Sequence, residues 1–201
     1  MLIVVGYKNI QVQEVFGKKY RNISIFYVTN DCYESSGSAY SFFLTHDFWS
    51  KTKPPILMLH ADLLYDRQVL VDTLERPQTD LIVLDEAFEE LTGDELVVIG
   101  EVGKVEALFK GPDGKDNIQG ESLGINKWSA GYLEKYYVFL RDFLKKNGRN
   151  CNWEPTISEF LLAYPDVQLN YSGIDGKYWI NVNYQDDVEY ATKVVLEQIR
   201  R

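Results

Sequence analysis

Hydrophobic and polar positions along the chain alternate between two periods. Leu2–Val5 is a short apolar run closed by Gly6, the pattern of a buried strand followed by a turn. Ile23–Val28 repeats it and ends at Asn30-Asp31. Ser36–Trp49 instead places Tyr40, Phe43, Leu44 and Phe48 at helical spacing, with Ser36 or Ser38 available as a cap. After the Pro54-Pro55 break, Ile56-Leu57-Met58-Leu59 is continuously apolar, which predicts a strand covered on both faces. Asp66–Leu74 reads as a short helix. Leu81–Leu84, Leu96–Ile99, Val105–Phe109 and Ser122–Asn126 read as strands, with turns at Gly100–Gly103 and Pro112-Asp113-Gly114. Ser129–Lys146 predicts a long helix stopped by Gly148, and Glu154–Leu162 a second one. Val167–Tyr171 and Tyr178–Asn183 are strand-like, and Asp186–Arg200 predicts a closing helix.

This alternation predicts an α/β fold, with a Rossmann-like mixed, mainly parallel sheet and helices on both faces. No repeat, linker or low-complexity stretch interrupts it, so residues 1–201 are expected to form a single domain.

Composition narrows the classes of function. With 45% hydrophobic and 25% charged residues, and 14 Tyr, 10 Phe and 4 Trp among 201, the chain has ample material for a core. A net charge of −9 argues against a nucleic-acid platform, while leaving room for a nucleotide held by a few cations. Cys32 and Cys151 are expected to be free thiols, the apolar start is only a strand long, and no segment suits a membrane span. A cytoplasmic location follows.

Candidate chemistry sits after the apolar run at 56–59. Ligands of open α/β sheets bind at the carboxyl ends of strands, and His60-Ala61-Asp62 occupies that position. Asp62 suits a hard cation bridging phosphates, and equally suits a turn cap beside a core histidine. A metal hydrolase built on His60 and Asp62 would lack further ligands, and with His46 and His60 the only histidines, a zinc site is disfavoured. Asn181 and Asn183 share one face of the strand before Asp186-Asp187, which read as acids at a helix start.

Together the segments Val4-Val5-Gly6-Tyr7-Lys8, Tyr27-Val28-Thr29-Asn30, Leu59-His60-Ala61-Asp62, Gly120-Glu121-Ser122-Leu123-Gly124-Ile125, Trp153-Glu154 and Trp179-Ile180-Asn181-Val182-Asn183 resemble the nucleotidyltransferases that make nucleotide-diphospho products. The resemblance lies nearest the branch that activates phosphocholine or small phosphonates with CTP. It implies transfer of a cytidylyl or other nucleotidyl group from a nucleoside triphosphate to a small phosphorylated or phosphonate acceptor, with release of pyrophosphate. It further implies that Asp62 holds Mg2+ together with the position of Asn183, that Lys110 meets phosphate charge, and that Glu121, Glu154 and Trp179 face the acceptor. Read without the resemblance, Lys110 is a solvated lysine at a turn, and Glu121 and Glu154 are surface charges.

Two departures from the pattern qualify these implications. The family's closing motif carries acids where this chain has Asn181 and Asn183, so a weakened metal site is expected. Its opening strand, glycine-rich phosphate loop and helix have no counterpart before Val4, and Gly100-Glu101-Val102-Gly103-Lys104 does not replace the loop. A partner chain or fused segment supplying that loop, a fragment, and a degenerate relative used for binding or assembly all stay open as alternatives.

Overall fold

The computed structural model describes residues 1–52, 55–87, 93, 95–111 and 116–200, so the turn expected at Pro112-Asp113-Gly114 lies outside the described residues. The chain divides into two compact units, each assembled from two stretches: residues 1–54 with 130–163, and residues 55–129 with 164–201.

The first stretch holds β1 (Leu2–Val5), α1 (Asn9–Phe16), β2 (Lys19–Tyr20), β3 (Ile23–Ser24), β4 (Phe26–Thr29), α2 (Ser38–Phe43) and α3 (His46–Trp49). The second holds β5 (Ile56–Leu59), β6 (Leu63–Tyr65), α4 (Arg67–Glu75), β7 (Leu81–Asp85), β8 (Leu96–Glu101), β9 (Lys104–Lys110) and β10 (Ile118–Trp128). Then come α5 (Ala130–Asn147) and α6 (Trp153–Ala163). Last are β11 (Asn170–Gly173), β12 (Trp179–Asn181), α7 (Gln185–Tyr190), a π-helical turn at Ala191–Val195, and α8 (Leu196–Ile199).

In the first unit β1 and β4 pair in parallel, Leu2 opposite Phe26 through Val5 opposite Thr29. Asn30 ends β4 as an inward-facing turn residue, only 2% exposed. Its Oδ1 accepts from the Cys32 amide at 3.0 Å, and its Nδ2 donates to Ser36 Oγ at 2.9 Å and Ser41 Oγ at 3.0 Å. This is the local bonding that makes asparagine a turn residue. The helix expected over 36–49 is broken in two, with Thr45 Oγ1 donating back to the Phe42 carbonyl at 2.6 Å. α5 runs as predicted and stops where Gly148 adopts φ +85°. Aromatic rings fill this unit: Phe43 stacks on Tyr137 at 5.0 Å, and Tyr137 on His46 at 3.8 Å. Tyr136 is buried and donates to Thr156 Oγ1 at 2.5 Å, while Thr156 donates to the Trp153 carbonyl at 2.6 Å. Cys32 and Cys151 are free thiols.

The second unit contains a six-stranded sheet in the order β5, β10, β7, β11, β9, β8. β7 and β11 pair in parallel, whereas β10 runs antiparallel to β5, β7 and β8, and β9 antiparallel to β8 and β11. The sheet is therefore mixed, and the mainly parallel arrangement expected from the alternation of elements is incorrect. The reason is the hairpin β8–β9 and the length of β10, which crosses the sheet against its neighbours. Leu81–Leu84 are buried throughout, as a strand with both faces covered requires. β5 does not match that expectation, because it leaves Leu59 42% exposed; among the described residues it pairs with β10 only. One face of the sheet packs Val83, Leu123 and Ile125 against Val69 of α4 and Ile174.

On the same strand as this core, Lys127 is only 6% exposed. Its Nζ donates to the carbonyls of Thr73 (3.3 Å), Leu74 (3.1 Å) and Arg76 (2.6 Å), so a buried cation satisfies the end of α4. The start of α4 is capped by Asp66, whose Oδ1 accepts from the Gln68 amide at 2.8 Å.

Candidate active site

The carboxyl end of β7 carries Asp85, and the register sets it directly opposite Glu121 of β10. Asp85 is held from two sides. Its Oδ2 accepts from the indole Nε1 of Trp179 at 2.8 Å, and its Oδ1 from the Ala87 amide at 2.9 Å. Trp179 in turn stands opposite Tyr65 in the antiparallel pair of β12 with β6, and both pack against the core beneath the sheet. Burial, followed by the negative charges of Glu95 and Asp85, pushes the Glu121 carboxyl up to about 7. The side of Glu121 that faces Asp85 and Glu95 thus gathers negative charge beside an indole ring.

A glycine bulge shapes the neighbouring part of the site. The register of β10 against β7 shifts between Ser122 and Asn126, and Gly124 in that interval adopts φ +77°. A Cβ at Gly124 would come 2.6 Å from the His60 ring, so the missing side chain is what lets His60 lie against the strand. The His60 amide donates to the Gly124 carbonyl at 3.0 Å. Asn126, two residues on, is fully buried, and neither its Nδ2 nor its Oδ1 has a hydrogen-bond partner among the described residues.

Asp62 lies in the turn after β5 with its side chain exposed, and its carbonyl accepts from the Val182 amide at 2.7 Å. Because β5 ends at Leu59, the strand alternation that would pair His60 and Asp62 on one face does not extend to Asp62. Asn181 is the last residue of β12, opposite Leu63, and its Oδ1 is buried without a partner among the described residues. Asn183 is exposed. The carboxylate of Asp187 accepts from the amides of Asn183 (2.8 Å) and Tyr184 (2.7 Å), the helix-start role expected of it.

Lys110 is the exposed last residue of β9, opposite Leu96. Glu154 sits in the first turn of α6, in the other unit. The structure therefore groups Glu121 and Trp179 around Asp85, and carries Asp62, Asn183 and Lys110 on the same unit. Asp85 and Glu95 were not anticipated from the sequence. Asp85 had a usable signal, since it follows the apolar run Leu81–Leu84 just as Asp62 follows its own.

A divalent cation is the group that the resemblance implies for Asp62. Among the described residues no three His, Cys, Asp or Glu side chains gather to hold a metal ion. The Asp187 carboxylate is engaged at a helix start, and Asn181 at the end of β12 and Asn183 just past it bring neutral amides. Mg2+ is held through carboxylates and phosphates, so these residues do not fit a resident divalent ion.

No protein-family model matches the sequence, and no curated protein matches it. Solved structures do. The inositol-1-phosphate CTP transferase from T. maritima superposes with a TM-score of 0.74 at 12% identity, covering 100% of this chain and 76% of that one. The CTP:phosphocholine cytidylyltransferase from Streptococcus pneumoniae gives 0.67 at 20% identity, over 100% and 78%. A UDP-glucose pyrophosphorylase gives 0.73 at 13% identity, over 100% and 81%. The chain has the nucleotidyltransferase fold. Cytidylyltransferases are among its structural neighbours, alongside proteins named for uridine and thymidine nucleotides.

Proposed function

We propose that this chain is a nucleotidyltransferase-type domain, with both units serving one activity. That activity joins a nucleotidyl group, cytidylyl first among the candidates, to a small acceptor bearing a phosphate or phosphonate and a cationic end. The observation that carries this reading is Glu121, a carboxyl raised to about 7 beside Asp85 and Glu95, with Trp179 bonded to Asp85. A site that crowds carboxylates favours a positive ligand, because the ligand's charge offsets their mutual repulsion. The indole face adds cation–π attraction for an ammonium group.

In the proposed transfer, an oxygen of the acceptor's phosphate attacks the nucleotide's α-phosphorus in line. The new P–O bond forms as the bond to pyrophosphate breaks. Lys110 offsets phosphate charge, and Glu121 with Trp179 orients the acceptor. Such chemistry needs positioning and charge stabilisation more than covalent help. Nucleoside triphosphates as substrates accord with a cytoplasmic protein, and among the described residues no helix is long and apolar enough to cross a membrane.

A second reading, binding or assembly without transfer, is favoured by one observation: amides stand at 181 and 183 while Asp187 is engaged as a cap. Calorimetry with CTP and magnesium, followed by pyrophosphate release with phosphocholine, separates the two in the wild type and in Asn183→Asp. CTP binding without turnover, and turnover gained in Asn183→Asp, is the result expected if the amides disable the site. Robust wild-type turnover with no gain in the variant overturns the role given to Asn183. Absence of CTP binding in both proteins overturns the transferase reading.

A further inference from the structure

The N-terminal segment is at odds with the rest of the chain in charge and in burial. Residues 1–30 carry Lys8, Lys18, Lys19 and Arg21 against Glu14, within a protein of net charge −9. A surface helix normally buries one apolar face, yet α1 buries no residue. Ile10 is 68% exposed and Val15 78%. The helix leads through Gly17 into the β2–β3 hairpin, where Tyr20 and Ile23 stand opposite each other, 58% and 50% exposed. Phe16 and Phe26 add two further half-exposed rings. Helix and hairpin border an open hollow of about 480 Å³ lined in part by Gln13, Lys18 and Phe26.

The cations adjoin these apolar groups along the chain. Lys18 and Lys19 open the hairpin, and Arg21 sits at its tip with φ +50°, its guanidinium 5.5 Å from the Tyr20 ring. None of the three forms an ion pair among the described residues. Lysine is depleted from the cores of protein–protein interfaces. Lysine and arginine flanking exposed Phe, Tyr and Ile form instead the composition of a segment lying in a membrane interface, where the rings enter the headgroup boundary and the cations meet lipid phosphates. Nucleic acid is a poorer match, because Ile10, Val15 and Ile23 have no ring to stack on a base.

We propose that α1 and the β2–β3 hairpin dock on an anionic lipid surface, with Tyr20 and Ile23 inserted and Lys18, Lys19 and Arg21 on the headgroups. The surface lies wholly within residues 1–30 and is independent of nucleotidyl transfer.

Flotation of the full chain tests this with two vesicle types, phosphatidylcholine alone and equal parts of phosphatidylcholine and phosphatidylglycerol. The wild type is expected to float with the mixed vesicles, to be released by added salt, and to ignore phosphatidylcholine alone. The triple variant Lys18→Glu, Lys19→Glu, Arg21→Glu is expected to lose binding by about a hundredfold or more, given the contribution of each cation near an anionic surface. Tyr20→Ser with Ile23→Ser should bind more weakly while keeping the salt dependence. All substituted residues are exposed, and circular dichroism checks their fold. The proposal is overturned if the wild type does not float with mixed vesicles at low salt, or if the triple variant partitions equally. It is also overturned if sedimentation velocity finds a wild-type dimer that these variants dissociate, which would assign the surface to a second copy.

Discussion

Replacing Glu121 with Gln isolates the carboxylate cluster while keeping side-chain shape. Its carboxyl is raised from an ordinary 4.5 to about 7. An acid raised in the folded state binds more protons folded than unfolded between those two values. Its contribution to stability is therefore complete below pH 4.5 and is lost as pH climbs through 7. Taken at face value the gap corresponds to about 3 kcal/mol. The residue is only partly buried, and solvent screening reduces the figure to about 2 kcal/mol. Glutamine has no proton to lose, so the variant escapes the penalty. Urea denaturation of both proteins at pH 4.5 and pH 8 is the assay, with midpoints and slopes compared. The expected outcome is near equality at pH 4.5 and a variant more stable by about 2 kcal/mol at pH 8. The same variant should hold a cationic acceptor less tightly at pH 8, since the charge that destabilises the fold is the one that attracts the ligand. A difference between the proteins that does not change with pH would refute the reasoning, as would a variant less stable at pH 8.

Three further substitutions probe the surroundings. Lys127→Met leaves three carbonyls at the end of α4 without their donor and is expected to lower stability by about 2–3 kcal/mol, read as a shifted denaturation midpoint with an unchanged slope. Gly124→Ala meets both a left-handed backbone and the His60 ring at 2.6 Å, so a loss of about 2–4 kcal/mol is expected, with a changed His60 ring environment visible by NMR. Asn126→Leu replaces two buried, unpartnered amide atoms with hydrocarbon of similar size and is expected to raise stability by about 1–3 kcal/mol, measured as a higher thermal midpoint.

The elements legible in the sequence are those whose pattern depends on near neighbours. α5 is bounded by the stop at Gly148, and β7 by the four consecutive apolar residues Leu81–Leu84. β5 shows the limit of that signal. A continuous apolar run fixes the strand but does not guarantee cover on both of its faces, and here Leu59 stays exposed. α1 leaves no clear signal in the sequence because it lacks both a capping side chain and a buried face. At the site, Trp179 and Glu121 were marked by resemblance, and they share a neighbourhood through Asp85. Asp85 itself was not foreseen, because its meeting with Glu121 is a matter of strand register across 36 positions of sequence. Lys127 is hidden for a like reason: a lysine within a strand shows no periodicity to reveal that it ends a helix about 50 residues earlier.

The discontinuous make-up of the two units governs how the chain comes off the ribosome. Residues 1–54 wait for 130–163 before their unit is complete, and residues 55–129 wait for 164–201. β7 emerges long before β11, its parallel partner in the finished sheet. Neither unit can finish early and serve as a template for the other. The nascent chain must hold β1, β4 and the aromatic residues of α2 in an incomplete setting until α5 and α6 appear. Closing such long loops slows folding more than it weakens the final state. Expression yield should therefore respond to translation speed and chaperone supply, and fragments cut at either junction should fail to fold alone.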